Sequence, residues 1–397
     1  MDEVGVLSDR SFSEVLEGVR RVGVDVARRA DELDQLGGFP KDLFDELSAT
    51  GCFQAMLPRE LGGLELSFSE INELIMAAAK ANGSFGWIML IGIPIPTIMS
   101  YFSPETGARL RADCPNPRIR GAIAPKGVAI PTEGGYLVSG RWPFASGGPD
   151  PDLIAGHCVV IENGAPRIGP GGVPDMVLAA LPAAQVEFLD TWHVLGLRGT
   201  DSCDFAVHEV FVPEDMTTNI FTAKSWFDTP GARLPLRVVL AMGHASLAVG
   251  IAEGALDDIA ELAKTKRAAM NPAALLAEDP VFRHSLGEHA LRHASVRALL
   301  DQATERAWQA GLAGRPLSAR ETLEGRTMPG YVTAECVKIV DAAYTMAGSV
   351  SLYDASPLQR RLRDIHVATQ HVAATGESYR TLGAVLVGAE LSAMELF

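Results

Sequence analysis

Gly135-Tyr136-Leu137-Val138-Ser139-Gly140-Arg141-Trp142-Pro143-Phe144-Ala145-Ser146-Gly147 reads as a β-prone run that stops at a glycine turn, with aromatic rings and a hydroxyl where it ends. Runs of the same kind surround it: Ile119 to Ala124, Leu153 to Ile161, Met176 to Leu181, Val186 to Leu189 and Phe205 to Val212. Gly134-Gly135 and Gly169-Pro170-Gly171-Gly172 supply turns between them. Strands this closely spaced leave no room for crossover helices. The sequence therefore predicts an antiparallel barrel or sandwich and argues against a Rossmann sheet.

On both sides the pattern is helical. Upstream, Phe39-Pro40-Lys41 opens a helix whose Leu43, Phe44, Leu47 and Cys52 keep a helix-like spacing. Ser67 or Ser69 is placed to cap the next helix, with Ile71, Leu74, Ile75 and Ala78 on one face. After Pro230, Val238 to Lys266 lacks proline and repeats Val249, Ala252, Leu256, Ile259 and Leu262 at helical spacing. Further helices near 281–312, 328–347 and 357–373 complete the pattern of a four-helix bundle. The predicted fold class is mostly α with a central β domain: an N-terminal helical domain over 1–115, the β domain over 116–228, and the C-terminal bundle over 229–397.

Composition narrows the function. The 397 residues suffice for two or three domain-sized units, and 47% hydrophobic with 21% charged residues is ordinary for a soluble enzyme. A formal charge of −15 with no basic stripe argues against nucleic acid. The acidic start, Met1-Asp2-Glu3-Val4, lacks the layout of a signal peptide. Trp87 to Met99 is interrupted by Pro94 and Pro96 and is too short for a membrane span. Five scattered cysteines without CxxC spacing fit buried thiols in a reducing compartment, so a cytoplasmic location is expected.

Few motifs carry chemistry on their own. No Gly-x-Ser-x-Gly elbow, P-loop or Gly-x-Gly-x-x-Gly fingerprint is present, which sets aside the usual hydrolase, NTPase and nicotinamide readings. His289 and His293 have metal-pair spacing but lack a following glutamate and a third ligand, so no metal is expected. By periodicity alone Trp142 and Phe144 read as core, and Ser146 as a turn residue.

The ordered set of motifs says more. Phe39-Pro40 with Leu57-Pro58-Arg59-Glu60-Leu61-Gly62-Gly63, then Gly83-Ser84-Phe85-Gly86-Trp87, then Gly140 to Gly147, follow one another along the first half of the chain. Asp190-Thr191-Trp192 to Gly196-Leu197-Arg198-Gly199-Thr200, and Arg363-Asp364-Ile365-His366-Val367-Ala368-Thr369-Gln370-His371, complete the series. Together they resemble the acyl-CoA dehydrogenase superfamily over roughly residues 36 to 390, and within it the branch of reduced-flavin-dependent two-component monooxygenases. Two departures point away from the dehydrogenases. Gln370-His371-Val372 offers no carboxylate where their proton-abstracting glutamate stands, and Ala124-Pro125-Lys126-Gly127 replaces their Thr-Glu-Pro hairpin.

The resemblance implies an oxygenase that takes FADH2 or FMNH2 from a separate NAD(P)H:flavin reductase and uses O2, through a flavin C4a-hydroperoxide, to hydroxylate an aromatic substrate such as a phenol or indole. It implies catalytic roles for His371, beside the reacting edge, and for Ser146, near the flavin N5. Flavin contacts would come from Trp87, Ala124, Trp142, Phe144, Ala145, Ser146 and Trp192. Arg267 resembles an arginine reaching the flavin phosphate across a dimer contact, and Gly348-Ser349 a turn lent by a neighbouring subunit; that turn and the long helices after Pro230 imply a homotetramer, with a dimer as the alternative. Oxidation at nitrogen or sulfur, a dehydrogenase with its base relocated to Glu253 or Glu377, and a non-catalytic flavin scaffold remain the alternatives.

Overall fold

The computed structural model describes residues 10–389 except 115, 170–171, 221, 269–270 and 376, so Met1 to Val4 and the centre of the Gly169–Gly172 turn lie outside the described residues. Six helices form the N-terminal part: α1 (Phe12–Arg28), α2 (Ala30–Leu36), α3 (Lys41–Ser48), α4 (Phe68–Ala81), α5 (Gly83–Gly92) and α6 (Pro104–Asp113). Ser67 caps α4 reciprocally with Glu70, satisfying two backbone donors that the helix leaves open. Asn82, in extended conformation, ends α4 and caps α5 in one residue, so the two helices meet at a tight corner. Gly86 makes that corner possible, since a Cβ there would come within 2.5 Å of the Ala79 Cβ.

Seven strands of the β domain follow: β1 (Ile119–Thr132), β2 (Gly135–Trp142), β3 (Leu153–Glu162), β4 (Met176–Pro182), β5 (Glu187–Leu189), β6 (Asp204–Pro213) and β7 (Thr217–Thr218). They hydrogen-bond in the order β5-β6-β2-β1-β3-β4-β7, with the two-residue strand Ala165–Pro166 paired to β3. The antiparallel expectation fails at one pair: β1 and β3 run parallel, from Ile119↔Leu153 to Ala129↔Val160. The chain manages this without a helix because Pro143 to Asp152, once extended, can span about 30 Å and cross the end of the sheet. That crossover carries Phe144, Ala145 and Ser146. The β1–β3 register also jumps from Ala122↔Gly156 to Gly127↔Cys158, so residues 123–126 bulge out of the ladder.

The bundle comprises α7 (Leu236–Ala263), α8 (Pro280–Leu312), α9 (Ala319–Ala347) and α10 (Pro357–Ala368), followed by α11 (Glu377–Leu386). Helix α9 begins nine residues before the predicted start at 328, because Ser318 and Glu321 form a capping box and Pro329 is accommodated inside the helix. A buried hydrogen bond of 2.8 Å from Asn72 to Thr304 joins α4 to α8. Segments Gly83–Tyr101 and Leu236–Ala263 are apolar enough to cross a membrane by length and composition, yet 78% and 83% of their apolar windows are buried inside the protein. They are its core.

Candidate active site

Three of the sequence motifs converge on one junction. Asp364, on α10, accepts the Leu197 N–H at 2.6 Å, and the Ser84 hydroxyl on α5 accepts the Gly199 N–H at 3.1 Å. Gly83 must lack a side chain here, since a Cβ would lie 2.6 Å from Asp364 Oδ2. Burial raises the Asp364 carboxyl to about 6, against the lowering effect of the Leu197 N–H. Helical domain, β domain and bundle are thereby locked around the loop that leads into Thr200 and Ser202.

Beside the junction lies a chain of hydroxyls. Ser146 Oγ is 2.6 Å from Ser202 Oγ, which is 2.8 Å from Thr200 Oγ1, and Thr200 donates to the Leu197 carbonyl at 2.9 Å. The Trp87 indole N–H donates to Ser146 at 3.0 Å. Buried Arg120 fixes this geometry from behind, donating to the Ala145 carbonyl at 2.8 Å and to the Asp201 carboxylate at 2.9 Å. Phe144 (φ 64°), Leu197 (53°) and Asp201 (43°) all adopt left-handed backbone here, a strain that functional loops tolerate when the surroundings over-determine them.

Trp87 also meets histidine. His371 sits edge-to-face with Trp87, centroids 5.4 Å apart, and nearly parallel to His244, with centroids 5.1 Å apart and planes 11° from coincidence. His244 is fully buried, and its pKa falls to about 3 through burial first and the neighbouring His371 second. Burial lowers His371 as well. Both rings are thus neutral at ordinary pH. Ser146 and His371 stand 225 residues apart in sequence and touch the same tryptophan.

The remaining expectations fare unevenly. Phe144 is 66% exposed and meets Trp192 edge-to-face at 6.3 Å, forming an open aromatic shelf. Ala124 lies in the exposed bulge of β1, and Ser146 bridges to Gly121 on the same strand. Trp142 requires correction: it is fully buried, stacked on Phe205 at 4.8 Å and bonded to the His157 carbonyl, so it fills the β-domain core and does not wall an open site. Arg267 bonds its own hairpin at Ala273, while neighbouring Lys266 binds the Ala347 carbonyl next to Gly348 and Ser349. This cluster lies beyond the far end of α7, about 30 Å along the helix from His244, and is not part of the Ser146–His371 site within one chain.

Glu253 lies nine residues after His244, on the opposite side of α7, and bonds Lys80 at 2.8 Å, which removes it as a relocated base. The Glu377 side chain lies outside the described residues. His366 bonds Asp341 at 2.9 Å on the exposed side of α10. His289 and His293 are engaged by separate backbone carbonyls, of Ser285 and Val249.

Sequence reading missed His244, Ser202, Thr200 and Arg120. The signal for His244 was present: it is the one ionisable residue in the apolar run Val238 to Ile251, where a polar ring needs a partner.

The residues suit a reduced flavin. A hydroxyl chain and a pair of neutral histidines meet at Trp87, and an aromatic ring as exposed as Phe144 fits a planar cover. Residues 13–110 match the family described as Acyl-CoA dehydrogenase, N-terminal domain, and residues 242–375 match Acyl-CoA dehydrogenase, C-terminal domain. The chain is 30% identical to indole-3-acetate monooxygenase of Pseudomonas putida, over 96% of this chain and 94% of that protein. It is also 30% identical to the oxygenase component of an FADH2-dependent resorcinol hydroxylase of Rhizobium sp. (strain MTP-10005), covering 92% and 91%. The solved HsaA monooxygenase of M. tuberculosis shares the fold, with a TM-score of 0.87 at 24% identity over 97% of this chain and all of that one. The chain belongs to the acyl-CoA dehydrogenase superfamily and, within it, to the oxygenase components of two-component flavin-dependent monooxygenases.

Proposed function

We propose that the protein hydroxylates a phenol or an indole on its ring, with His371 and Ser146 as the catalytic polar groups. The observation that carries this reading is the convergence of Ser146 and His371 on Trp87. Reduced flavin, delivered by a separate reductase, supplies the two electrons and the site of oxygen activation when bound. One oxygen atom of O2 enters the ring, and the other leaves as water.

The chain's own residues do the rest. Ser146, held by Trp87 and Ser202, offers a hydroxyl beside the flavin ring, while Phe144 and Trp192 cover it and exclude water. His371 exchanges hydrogen bonds with substrate or departing oxygen at the reacting edge. FADH2 is the proposed form of the cofactor, in line with the resorcinol hydroxylase relative. We further propose a homotetramer, in which Arg267, Gly348 and Ser349 of one copy serve a neighbour's flavin. Their distance from His371 within one chain supports that arrangement, and light scattering at a single chain's mass would refute it.

The test supplies reduced flavin from an independent reductase, with O2 and a panel of phenols and indoles. Hydroxylated product should form with the wild-type chain and fall sharply in His371→Ala, with flavin still bound. Wild-type turnover that consumed reduced flavin without oxygenating any panel member would overturn the substrate class.

A further inference from the structure

We infer that His244 is a positioning residue, which fixes the ring plane of His371 and the hydrogen it presents to the reacting edge. The inference rests on the active-site reading above. It begins with a carbonyl. Ala368 ends α10, and its oxygen accepts two hydrogens: the His371 backbone N–H at 3.2 Å and the His244 ring at Nε2, 3.0 Å away. A carbonyl only accepts, so Nε2 of His244 carries the hydrogen and Nδ1 is bare in the neutral ring. The Thr333 hydroxyl, 3.4 Å from Nδ1, faces that lone pair. One tautomer is left.

His371 has few other restraints. It caps the three-residue turn Val372–Ala374, beyond the end of its helix, where a side chain would ordinarily rotate freely. His244 lies almost parallel beneath it, and Trp87 stands edge-on to both rings, at 84° to His371 and 85° to His244. The Ala373 N–H approaches His371 Nδ1 at 3.3 Å, which leaves the hydrogen of the neutral His371 ring on Nε2. His371 thus offers an N–H donor in a set plane. His244 supplies both the underlying ring and the bond that anchors the helix end.

Two variants separate those contributions. His244→Phe keeps a flat ring but loses the bond to Ala368, and His244→Ala loses both. Misplacing a reacting group is costly, so product per reduced flavin should fall about threefold in His244→Phe and about tenfold in His244→Ala. Hydrogen peroxide should make up the difference, while substrate KM and flavin Kd stay within about twofold. Crystals of flavin-free His244→Phe should show the His371 ring turned from its present plane. In a His371→Ala background, His244→Phe should change product by less than about a factor of two, because a residue acting through His371 then has nothing to act on.

Three results would overturn the inference, each in a different way. If His371→Ala itself leaves product unchanged, the active-site reading falls and this inference with it. If His371→Ala abolishes product while folded His244→Phe performs as wild type, only the positioning role falls. If His244→Phe costs as much in the His371→Ala background as alone, His244 supports the fold and not His371. His244→Phe keeps the buried position filled by a flat ring slightly larger than imidazole, so these outcomes stand even should His244→Ala fail to fold.

Discussion

Asp364 and His371 are seven residues apart on one stretch of chain, both are withdrawn from water, and both titrate. Their surroundings differ in kind. Around Asp364, Arg363 binds Asp34 at 2.7 Å, Arg360 binds Asp34 at 3.2 Å, and a backbone N–H meets the carboxylate. Around His371 the contacts among the described residues include Trp87, His244 and one backbone amide, all uncharged at neutral pH. A redundant network of charges serves a joint, because losing one partner leaves others. A neutral aromatic cluster serves chemistry, because each contact sets the geometry of one ring.

The contrast can be broken most directly at His371. Changing His371→Ala should cut hydroxylation about a hundredfold or more, the usual scale for losing a positioned acid, base or donor, while flavin binding changes little. Product analysis with an external reductase checks this, and a loss under threefold would place the chemistry elsewhere.

The Asp364 end should speak through stability and pH. Its folded pKa, about 6, lies above the ordinary 3.8, so the folded state holds the proton more tightly. The stabilising contribution is full below about pH 4 and is lost as pH rises through about 6, by on the order of 3 kcal/mol. His244 runs the other way. Its pKa is depressed to about 3, so its contribution is present above pH 6.5 and lost as pH falls. Asp364→Asn keeps an oxygen for the Leu197 N–H and removes the first slope alone. Urea midpoints should therefore show the variant gaining on wild type between pH 4 and 6. A constant difference across that window would mean that Asp364 titrates like a surface carboxylate.

Smaller effects sharpen the comparison. Besides its bonds to Trp87 and Ser202, Ser146→Ala removes the hydrogen bond proposed to the flavin, about 1 kcal/mol or somewhat more, and should lower the ratio of product to hydrogen peroxide roughly tenfold with the fold intact. An unchanged ratio would reduce Ser146 to a turn residue. Least affected should be His366→Ala, within about twofold of wild type, since that ring faces Asp341 on the exposed side of α10. A larger loss there than at His371 would invert the assignment.

Much of this was legible in the sequence, and the failures have local causes. The predicted strands overlap the observed ones because glycine and proline punctuate their ends, as at Met176–Pro182 and Asp204–Pro213. Parallel pairing of β1 with β3 leaves no mark on the alternation of residues within either strand. The helix expected near 328–347 starts earlier, at Ala319, and runs through Pro329. Periodicity alone read Trp142 and Phe144 alike as core, and the family resemblance assigned both to the flavin. The strand ends at Trp142, however, and Phe144 turns at φ 64°, so one ring points into the core and the other outward. Ser146 and His371 emerged through the order of motifs. His244 did not, because a buried histidine in an apolar helix belongs to no motif.

The crossover between β2 and β3 bears on how readily this protein could acquire new substrates. Gly148 adopts φ +94° and lies against the Phe44 ring, so any side chain there would strike the helical domain. Gly147, at φ +140°, is pressed in the same way on Ile119 and Arg120. Insertions or substitutions at these two positions would displace the turn that holds Ser146. Residues 123–126 are different: they bulge from the ladder and stand in solvent, so length and chemistry can change there without breaking a strand pair. Laboratory evolution of this scaffold should accordingly accumulate its tolerated changes in the β1 bulge and leave the glycine pair untouched.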